Sequence, residues 1–241
     1  SLSRSARAPS TEELYSNVDA DDPTALVPHA ATGVIEVGDP DLDDGVSLNA
    51  DLSLRWPGDR SGVDLARFSD SCGDYIFLFN SGEDVDETPV YGYEQDDAEF
   101  YGVEIETSFH LLDLGPGSLA LGVRGDVISG EFDDAGDVPR LPPLRVGGEL
   151  SWSGDAFSTW VRVVDAADQD DPGDFETETD GYTRWDIGAD YRWQLPGDTE
   201  LLTFVKWKNI GDDEIRLSTS FLRNYAPEAG ESVEAGLRFS F

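Results

Sequence analysis

His29 is the residue whose position best suits a metal site. It stands in a long acidic segment, and the carboxylates near it in sequence are Asp19, Asp21, Asp22 and Glu36. An imidazole nitrogen combined with carboxylate oxygens binds zinc and similar divalent ions. The segment therefore makes His29 a candidate zinc ligand, although a solvated loop histidine explains the same pattern.

The other histidine, His110, precedes a short turn at 113–117 and could also bind zinc. A polar residue close to a turn is the simpler interpretation. Two acidic stretches, 133–137 and 168–174, could hold calcium loosely through carboxylate oxygens. Solvated acidic loops explain both stretches more simply, so the metal hypothesis concentrates on His29.

No pattern in the sequence indicates an enzyme. Glu104 and Glu106 could form the paired carboxylates of a glycosidase, but chance pairs are frequent among 51 acidic residues. The sequence contains no nucleophile elbow, phosphate-binding loop, His-Glu-x-x-His or EF-hand pattern. Cys72 is the only cysteine, which excludes an intrachain disulfide and a cysteine-based zinc site; we interpret it as a small apolar filler. We predict no catalytic residue and no required cofactor.

The net charge of the chain limits the classes of partner that it can bind. Its 241 residues include 16 Lys and Arg against 51 Asp and Glu, a net charge of −35. Such a chain does not bind nucleic acid through phosphates, which requires clustered basic residues. A composition of 39% hydrophobic and 11% aromatic residues is too apolar for a purely disordered chain. No apolar run reaches the ~18–20 residues of a membrane-spanning helix.

The segments that must position these residues alternate with a period of two. In 231–241 the apolar residues occupy every second position: Val233, Ala235, Leu237, Phe239 and Phe241. The same alternation recurs in 47–56, 100–112 and 183–193. This period predicts strands with one apolar and one polar face. Alternation alone fits either a soluble sheet with a dry core face or a membrane barrel with its apolar face toward lipid.

Three features favour the barrel. The predicted strands are long, aromatic residues (Trp56, Trp152, Trp193 and Phe241) stand at strand ends, and short turns alternate with long acidic connections. We predict an all-β fold, an antiparallel transmembrane β-barrel with short periplasmic turns and long extracellular loops. Ten strands are expected, the first incomplete, at 1–5, 46–56, 62–79, 90–112, 118–131, 144–152, 156–166, 182–193, 200–209 and 231–241.

The polar face of these strands is expected to line the inside of the barrel. Its charged members by register are Glu104, Glu106, Arg184, Asp186, Asp190, Arg192, Glu234 and Arg238. In an aqueous lumen such residues form a ladder of paired charges. Structural pairing is a better explanation for them than catalysis.

Several short motifs resemble those of TonB-dependent outer-membrane receptors. Arg7-Ala8-Pro9 followed by Glu13-Leu14-Tyr15 is similar to the family's Arg-Ala-Pro and Glu-Leu-Tyr segment. Gly38–Leu42 and Ser47-Leu48-Asn49 resemble the Asn-Pro-x-Leu stretch that follows, with Asp44 where a Glu is usual. Lys208–Asp212 is similar to the family's Glu-Asn-Leu-Phe-Asp, and Gly236–Phe241 resembles its terminal strand.

Within that family the chain resembles the ZnuD-like receptors associated with zinc and haem. The motifs that carry this likeness are Pro28–Gly33, Phe100–Glu104, Gly125–Gly130, Pro139–Pro143 and Ser218–Leu222. The likeness of the Pro28-His29-Ala30 segment implies that His29 is a ligand of the transported metal. Other ligands of such a site would lie partly on elements that this sequence does not contain.

The resemblance implies an active uptake receptor for a scarce nutrient, in the first place a metal ion such as zinc or a metal chelate such as haem or a siderophore. Such receptors have about 22 strands around a plug. The 241 residues are therefore expected to be the C-terminal portion of the barrel, without plug or N-terminal strands. Implied partners are outer-membrane lipid, the TonB complex through the plug, and the barrel-assembly machinery through Phe241. The intact receptor is expected to be monomeric, in the outer membrane of a Gram-negative bacterium.

Two alternatives stay open at this point. One is a soluble, secreted halophilic β-sandwich, either carbohydrate-binding or a glycosidase, in which Trp185, Ile187, Leu237 and Phe239 would be buried between two sheets. The other is a passive ten-stranded porin or an outer-membrane enzyme. That alternative predicts that strand 200–209 or 231–241 closes onto the first strands of the same chain.

Overall fold

The computed structural model describes residues 1–18, 25–30, 32–173, 176–197 and 199–241. Within these residues the regular secondary structure is almost entirely strand. In chain order the elements are β1 (Leu2–Arg7), α1 (Thr11–Tyr15), β2 (Ile35–Val37), β3 (Gly45–Pro57), β4 (Ser61–Val85), β5 (Thr88–Leu114), β6 (Gly117–Phe132), β7 (Arg145–Gly154), β8 (Phe157–Ala166), β9 (Tyr182–Leu195), β10 (Thr199–Lys208) and β11 (Ser232–Ser240). No described helix is long and apolar enough to span a membrane.

Ten of the strands form one antiparallel sheet in which successive strands are spatial neighbours. The order is β1-β3-β4-β5-β6-β7-β8-β9-β10-β11, and β2 pairs in parallel with β5 outside this path. The predicted set of ten long antiparallel strands is therefore confirmed. Among the described residues β11 does not pair with β1. The closure that a self-contained ten-stranded porin requires is not observed.

The apolar face of the sheet lies open to its surroundings. Trp185 is 46% exposed, Ile187 41%, Leu237 67% and Phe239 58%. A β-sandwich would have buried these side chains, so the structure contradicts that alternative. Residues directly opposite each other in neighbouring strands share a face, and the pairs Trp193 with Leu201 and Leu201 with Phe239 extend the apolar band across β9, β10 and β11.

The longest hairpin differs from its prediction, which ended one strand at 79 and began the next at 90. Instead β4 continues to Val85 and β5 begins at Thr88. Asp86 and Glu87 between them have φ of 49° and 64°, the left-handed geometry of a tight hairpin turn. Acidic residues suggested a loop, but a strand that extends beyond the membrane into water can carry charge on both faces. The hairpin also contains bulges between Cys72 and Tyr75 and between Asn80 and Glu83.

The buried core lies at the long-loop end of the sheet. Its buried residues are Cys72, Phe77, Ala98, Phe132 and Val138. Phe77 and Phe132 pack with ring centroids 4.2 Å apart. Cys72 fills a small apolar site there, as predicted, and its Sγ lies 3.1 Å from the Ser47 hydroxyl. The core therefore fastens the long connections to the extended hairpin.

Candidate metal site and charged inner face

The connection between β1 and β3 begins with a capped helix. Ser10 accepts a hydrogen bond from the Glu13 amide, and the Glu13 carboxylate accepts one from the Ser10 amide, which forms a capping box. Glu13 also pairs with Arg7 at 2.7 Å. Burial would raise the pKa of Glu13, but the hydrogen bonds from Arg7 and Ser10 together lower it below its usual value. The helix is thereby tied to the end of β1.

Asn17 organises the next part of this connection. Its φ of 52° lies in the left-handed region that asparagine tolerates. The side-chain amide donates to the carbonyls of Val27 and Glu36 at 3.1 and 2.8 Å, and its oxygen accepts from the Val27 amide at 2.9 Å. One side chain thus holds the segment that contains His29 against β2.

Strand β2 places Glu36 beside the extended hairpin. Ile35 pairs with Val90 and Val37 with Gly92, along the part of β5 that continues beyond the end of β6. Ile35 and Glu36 are both buried. A buried carboxylate needs hydrogen-bond partners to offset the loss of water, and Glu36 has them.

Glu36 is the centre of a polar cluster with His29, Thr32 and Tyr93. Tyr93 donates to Glu36 Oε2 at 2.9 Å, and Thr32 donates to Oε1 at 2.9 Å. His29 Nδ1 lies 3.4 Å from the same Oε1. Tyr93 lies in the extension of β5 beyond the apolar band. Burial, followed by the hydrogen bond to Glu36, raises its pKa above the usual value.

This arrangement suits His29 to metal binding through one nitrogen. A carboxylate beside Nδ1 orients an imidazole and increases the basicity of the other nitrogen, as in many zinc sites. Because Nδ1 lies beside Glu36, Nε2 is the nitrogen not directed at Glu36. The His29 side chain is 42% exposed, whereas that of Glu36 is 6% exposed. Of the predicted neighbours, Asp19, Asp21 and Asp22 lie outside the described residues. The described residues contain no group of three His, Cys, Asp or Glu side chains that could hold a metal.

His110 lies at the opposite end of the sheet from His29. Its Nε2 is 3.1 Å from Asp113 Oδ1, and the Asp113 side chain is 77% exposed. His110 is on the inner register opposite Ala120, just before a bulge. The two histidines are therefore not brought together.

Hydrogen bonds tie both acidic stretches proposed for calcium to neighbouring segments, through backbone amides in 133–137 and through the Asp168 carboxylate in the other stretch. Asp96 Oδ2 accepts from the amides of Asp134 and Ala135 at 3.0 and 2.9 Å. Asp168 Oδ1 accepts from the Gly181 amide at 2.7 Å. These contacts cap loop backbones. Residue 174 of the second stretch lies outside the described residues.

The inner face carries the predicted ladder of paired charges. Its ion pairs include Arg55 with Asp64 at 2.6 Å, Arg145 with Asp126 at 2.7 Å, Arg184 with Asp186 at 2.9 Å, Arg192 with Glu200 at 3.4 Å and Lys208 with Glu234 at 2.6 Å. Glu104 and Glu106 face Asp126 and Arg124 across β5 and β6. Glu106 is therefore opposite a cation, whereas Glu104 is opposite Asp126, which pairs with Arg145.

Sequence reasoning missed a buried charge cluster that joins three connections. Glu176 pairs with Arg140 at 2.7 Å and with Arg223 at 3.1 Å, and all three side chains are at least 85% buried. Arg140 also lies 4.2 Å from the centroid of Phe221 and donates to the Leu78 carbonyl. Burial, followed by the nearby Glu176 carboxylate, raises the pKa of Tyr91. The available signal was the occurrence of isolated arginines in otherwise acidic loops.

A sheet with a lipid-type apolar face, a charged inner face, short turns at one end and long connections at the other is the wall of an outer-membrane β-barrel. Residues 1–206 match the family "TonB dependent receptor-like, beta-barrel". The chain belongs to this family. It is an outer-membrane protein of the Gram-negative type, and the family that it matches is one of receptors.

Solved structures of such receptors share the fold. The chain is 19% identical to the copper transporter OprC over 100% of its length, with a TM-score of 0.74. It is 14% identical to the siderophore receptor PirA from Pseudomonas aeruginosa over 100% of its length, with a TM-score of 0.59. It is 13% identical to the FrpB iron transporter from Neisseria meningitidis over 85% of its length, with a TM-score of 0.61. The chain spans 36%, 38% and 32% of those proteins. These likenesses show the fold, the match over residues 1–206 shows the family, and neither reaches the ZnuD-like subgroup.

Proposed function

We propose that this chain forms the C-terminal part of the barrel of a TonB-dependent receptor that actively imports a metal ion, with zinc as the first candidate. The observation that carries the proposal is the pairing of exposed His29 with buried Glu36, which is held in turn by Thr32 and Tyr93. It lies at the long-loop end of the sheet, which in outer-membrane barrels faces the outside. Cargo would meet this end first.

The charge of that end favours a cation as cargo. Acidic residues outnumber basic ones in each long connection, 8–44, 133–144, 167–181 and 209–231. A surface with one sign of charge raises the local concentration of ions of the opposite sign and their rate of arrival. An anionic chelate such as a ferric siderophore would be repelled by the same surface. As candidate cargo, haem and siderophore complexes therefore rank below a free or cationic metal.

The identity of the metal follows from the donor types. Imidazole suits zinc, copper, iron and nickel, whereas carboxylate alone suits magnesium and calcium. One histidine with a carboxylate therefore supports a transition metal. The copper transporter OprC shares this fold, so copper is the competitor to include in any test.

The family supports the remaining partners of the proposal. A plug domain contributed by other parts of the receptor would connect to the TonB complex and use its energy. The resemblance of 236–241 to the family's terminal strand supports recognition of Phe241 by the barrel-assembly machinery. The intact receptor would act as a monomer.

The experiment is zinc binding and uptake by the full-length receptor with His29→Ala. Calorimetry with Zn²⁺ and with Cu²⁺ should show a loss of affinity of at least about tenfold, since a direct ligand contributes no less than an outer-shell residue. Uptake by intact cells should fall in parallel. His110→Ala, which removes the histidine at the other end of the wall, is the matched control and should change neither. Unchanged affinity for both metals in the folded His29→Ala receptor would reject His29 as a ligand.

A further inference from the structure

Two arginines depart from the pattern of the sheet. Arg4 is opposite Leu48, and Arg67 is opposite both Leu52 and Val103. Both therefore lie on the apolar outer face, and both are exposed. The other basic residues of the ten wall strands lie on the inner register: Arg7, Arg55, Arg124, Arg145, Arg162, Arg184, Arg192, Lys206, Lys208 and Arg238.

The register places both arginines near the outer border of the apolar band. Ser69, Tyr101 and Ser129 form one row across β4, β5 and β6. Arg67 is the next outward-facing residue toward the short turns, opposite Val103, and the row after it contains Leu65 and Ile105. Arg4 lies in the next row of outward-facing residues toward the long connections, together with Leu48 and Ser71. Tyrosine on a lipid-facing strand is typical of the membrane–water interface.

Neither Arg4 nor Arg67 forms an ion pair among the described residues. The acidic residues on the same outer face, Glu99 and Glu131, lie one row above Tyr101, and neither forms an ion pair with Arg67 among the described residues. Arg67 is on an interior strand of the sheet, with β3 and β5 on its two sides.

An unpaired arginine at this depth has one favourable partner. Its long stem can lie along apolar surface while the guanidinium reaches the headgroup region. A guanidinium binds phosphate oxygens in bidentate geometry, which an ammonium does not. We propose that Arg4 and Arg67 bind phosphate groups of anionic lipid headgroups in the outer leaflet. This site is distinct from the cargo site and does not depend on the transported metal.

The test is lipid retention by the full-length receptor, measured by native mass spectrometry in mixed micelles. The probes are phosphatidic acid, which has an exposed phosphomonoester, and uncharged diacylglycerol with the same acyl chains. Each arginine near a membrane surface should contribute about fivefold in affinity for an anionic lipid, so Arg4→Gln with Arg67→Gln should lose about 25-fold. Arg60→Gln, in the short turn at the opposite end, is the control and should retain lipid like the parent.

Two further arms separate the explanations. Arg67→Lys keeps the charge but loses the bidentate fork, so retention should be intermediate between the parent and Arg67→Gln. Inorganic phosphate at millimolar concentration should not displace the lipid, because the acyl chains add apolar binding. Removing a charge from the lipid face does not threaten folding, and heat-modifiable mobility checks this. The proposal would be overturned if the parent and the double variant retained phosphatidic acid equally. It would also be overturned if the parent retained diacylglycerol as well as it retains phosphatidic acid.

Discussion

The hydroxyl of Tyr93 donates a 2.9 Å hydrogen bond to Oε2 of Glu36, although 57 residues separate them in sequence. This bond connects the wall hairpin to the loop that contains His29. The other carboxylate oxygen of Glu36 accepts from Thr32 and faces His29. The orientation of the imidazole is therefore set by a residue of the barrel wall.

Tyr93→Phe should weaken metal binding without removing any candidate ligand. The loss of an outer-shell hydrogen bond to an oriented carboxylate reduces metal affinity by about tenfold or more. Calorimetry with Zn²⁺ on the full-length receptor measures the change. Tyr91→Phe is the control: Tyr91 is the strand partner of Glu36, but its hydroxyl accepts from Asn80. Equal losses in the two variants would show that the effect is a general loosening of the hairpin.

The raised pKa of Tyr93 predicts a stability effect at high pH. The folded state holds this proton more tightly than the unfolded state, whose tyrosines ionise near pH ~10. The favourable contribution of Tyr93 is thus complete below about pH 10 and is lost as pH rises through the raised value. The stability difference between the parent and Tyr93→Phe should shrink above about pH 10. Urea unfolding at pH 8 and pH 11 tests this, and a difference independent of pH would contradict it.

Glu176→Gln should loosen the contacts of connection 167–181 with connections 133–144 and 209–231. It leaves the buried guanidiniums of Arg140 and Arg223 without a counter-charge, and such breakage costs about 3–5 kcal/mol. Amide hydrogen exchange in 209–231 should report the loss as faster local opening. Glu214→Gln is the matched control, since its exposed pair with Arg216 is worth only about 0–1 kcal/mol. Similar exchange in both variants would mean that the buried cluster does not hold the loops.

The period-two alternation was sufficient to predict which residues lie on each face of the sheet. It did not predict how the hairpin and the long connections are arranged at the long-loop end. Trp185 and Leu237 were assigned correctly to the apolar face, because in a strand every second residue lies on the same face. The tip of the hairpin at 80–89 was missed because a strand in water has no apolar periodicity. The contact between Glu36 and Tyr93 depends on β2 joining β5 in parallel, a pairing with no local signal in three residues. Arg223 was missed because burial of a loop arginine depends on two other connections.

Ile187→Lys should impair insertion, because Ile187 points to lipid from the middle of β9. A lysine near the bilayer midplane destabilises a barrel by about 2–4 kcal/mol. Ser158→Lys on the neighbouring strand is the control: position 158 faces inward opposite Asp190, where a cation is favourable. Folding yield of the full-length receptor into phosphatidylcholine vesicles gives the comparison. Lower yield for Ser158→Lys than for Ile187→Lys would reverse the assignment of the two faces.

Gly188→Ala should destabilise the wall because the Trp160 ring occupies the space above Gly188. A Cβ there would lie 2.5 Å from Trp160 Cε2, and the next two contacts, at 2.5 and 2.7 Å, are to the same ring. The ring would have to leave its place, and overpacking of this kind costs about 1–3 kcal/mol. Urea unfolding of the full-length receptor in vesicles measures the loss.

Gly122→Ala is the matched control on the same inner face. A Cβ at Gly122 would find only the Thr107 carbonyl, at 3.7 Å, an ordinary contact. Stability should be unchanged or increase by about 0.4–1 kcal/mol, since alanine restricts the unfolded chain. Trp160→Leu should relieve the clash, so that Gly188→Ala costs less in that background than in the parent. If Gly188→Ala is equally costly with and without Trp160, the ring is not what requires glycine at this position.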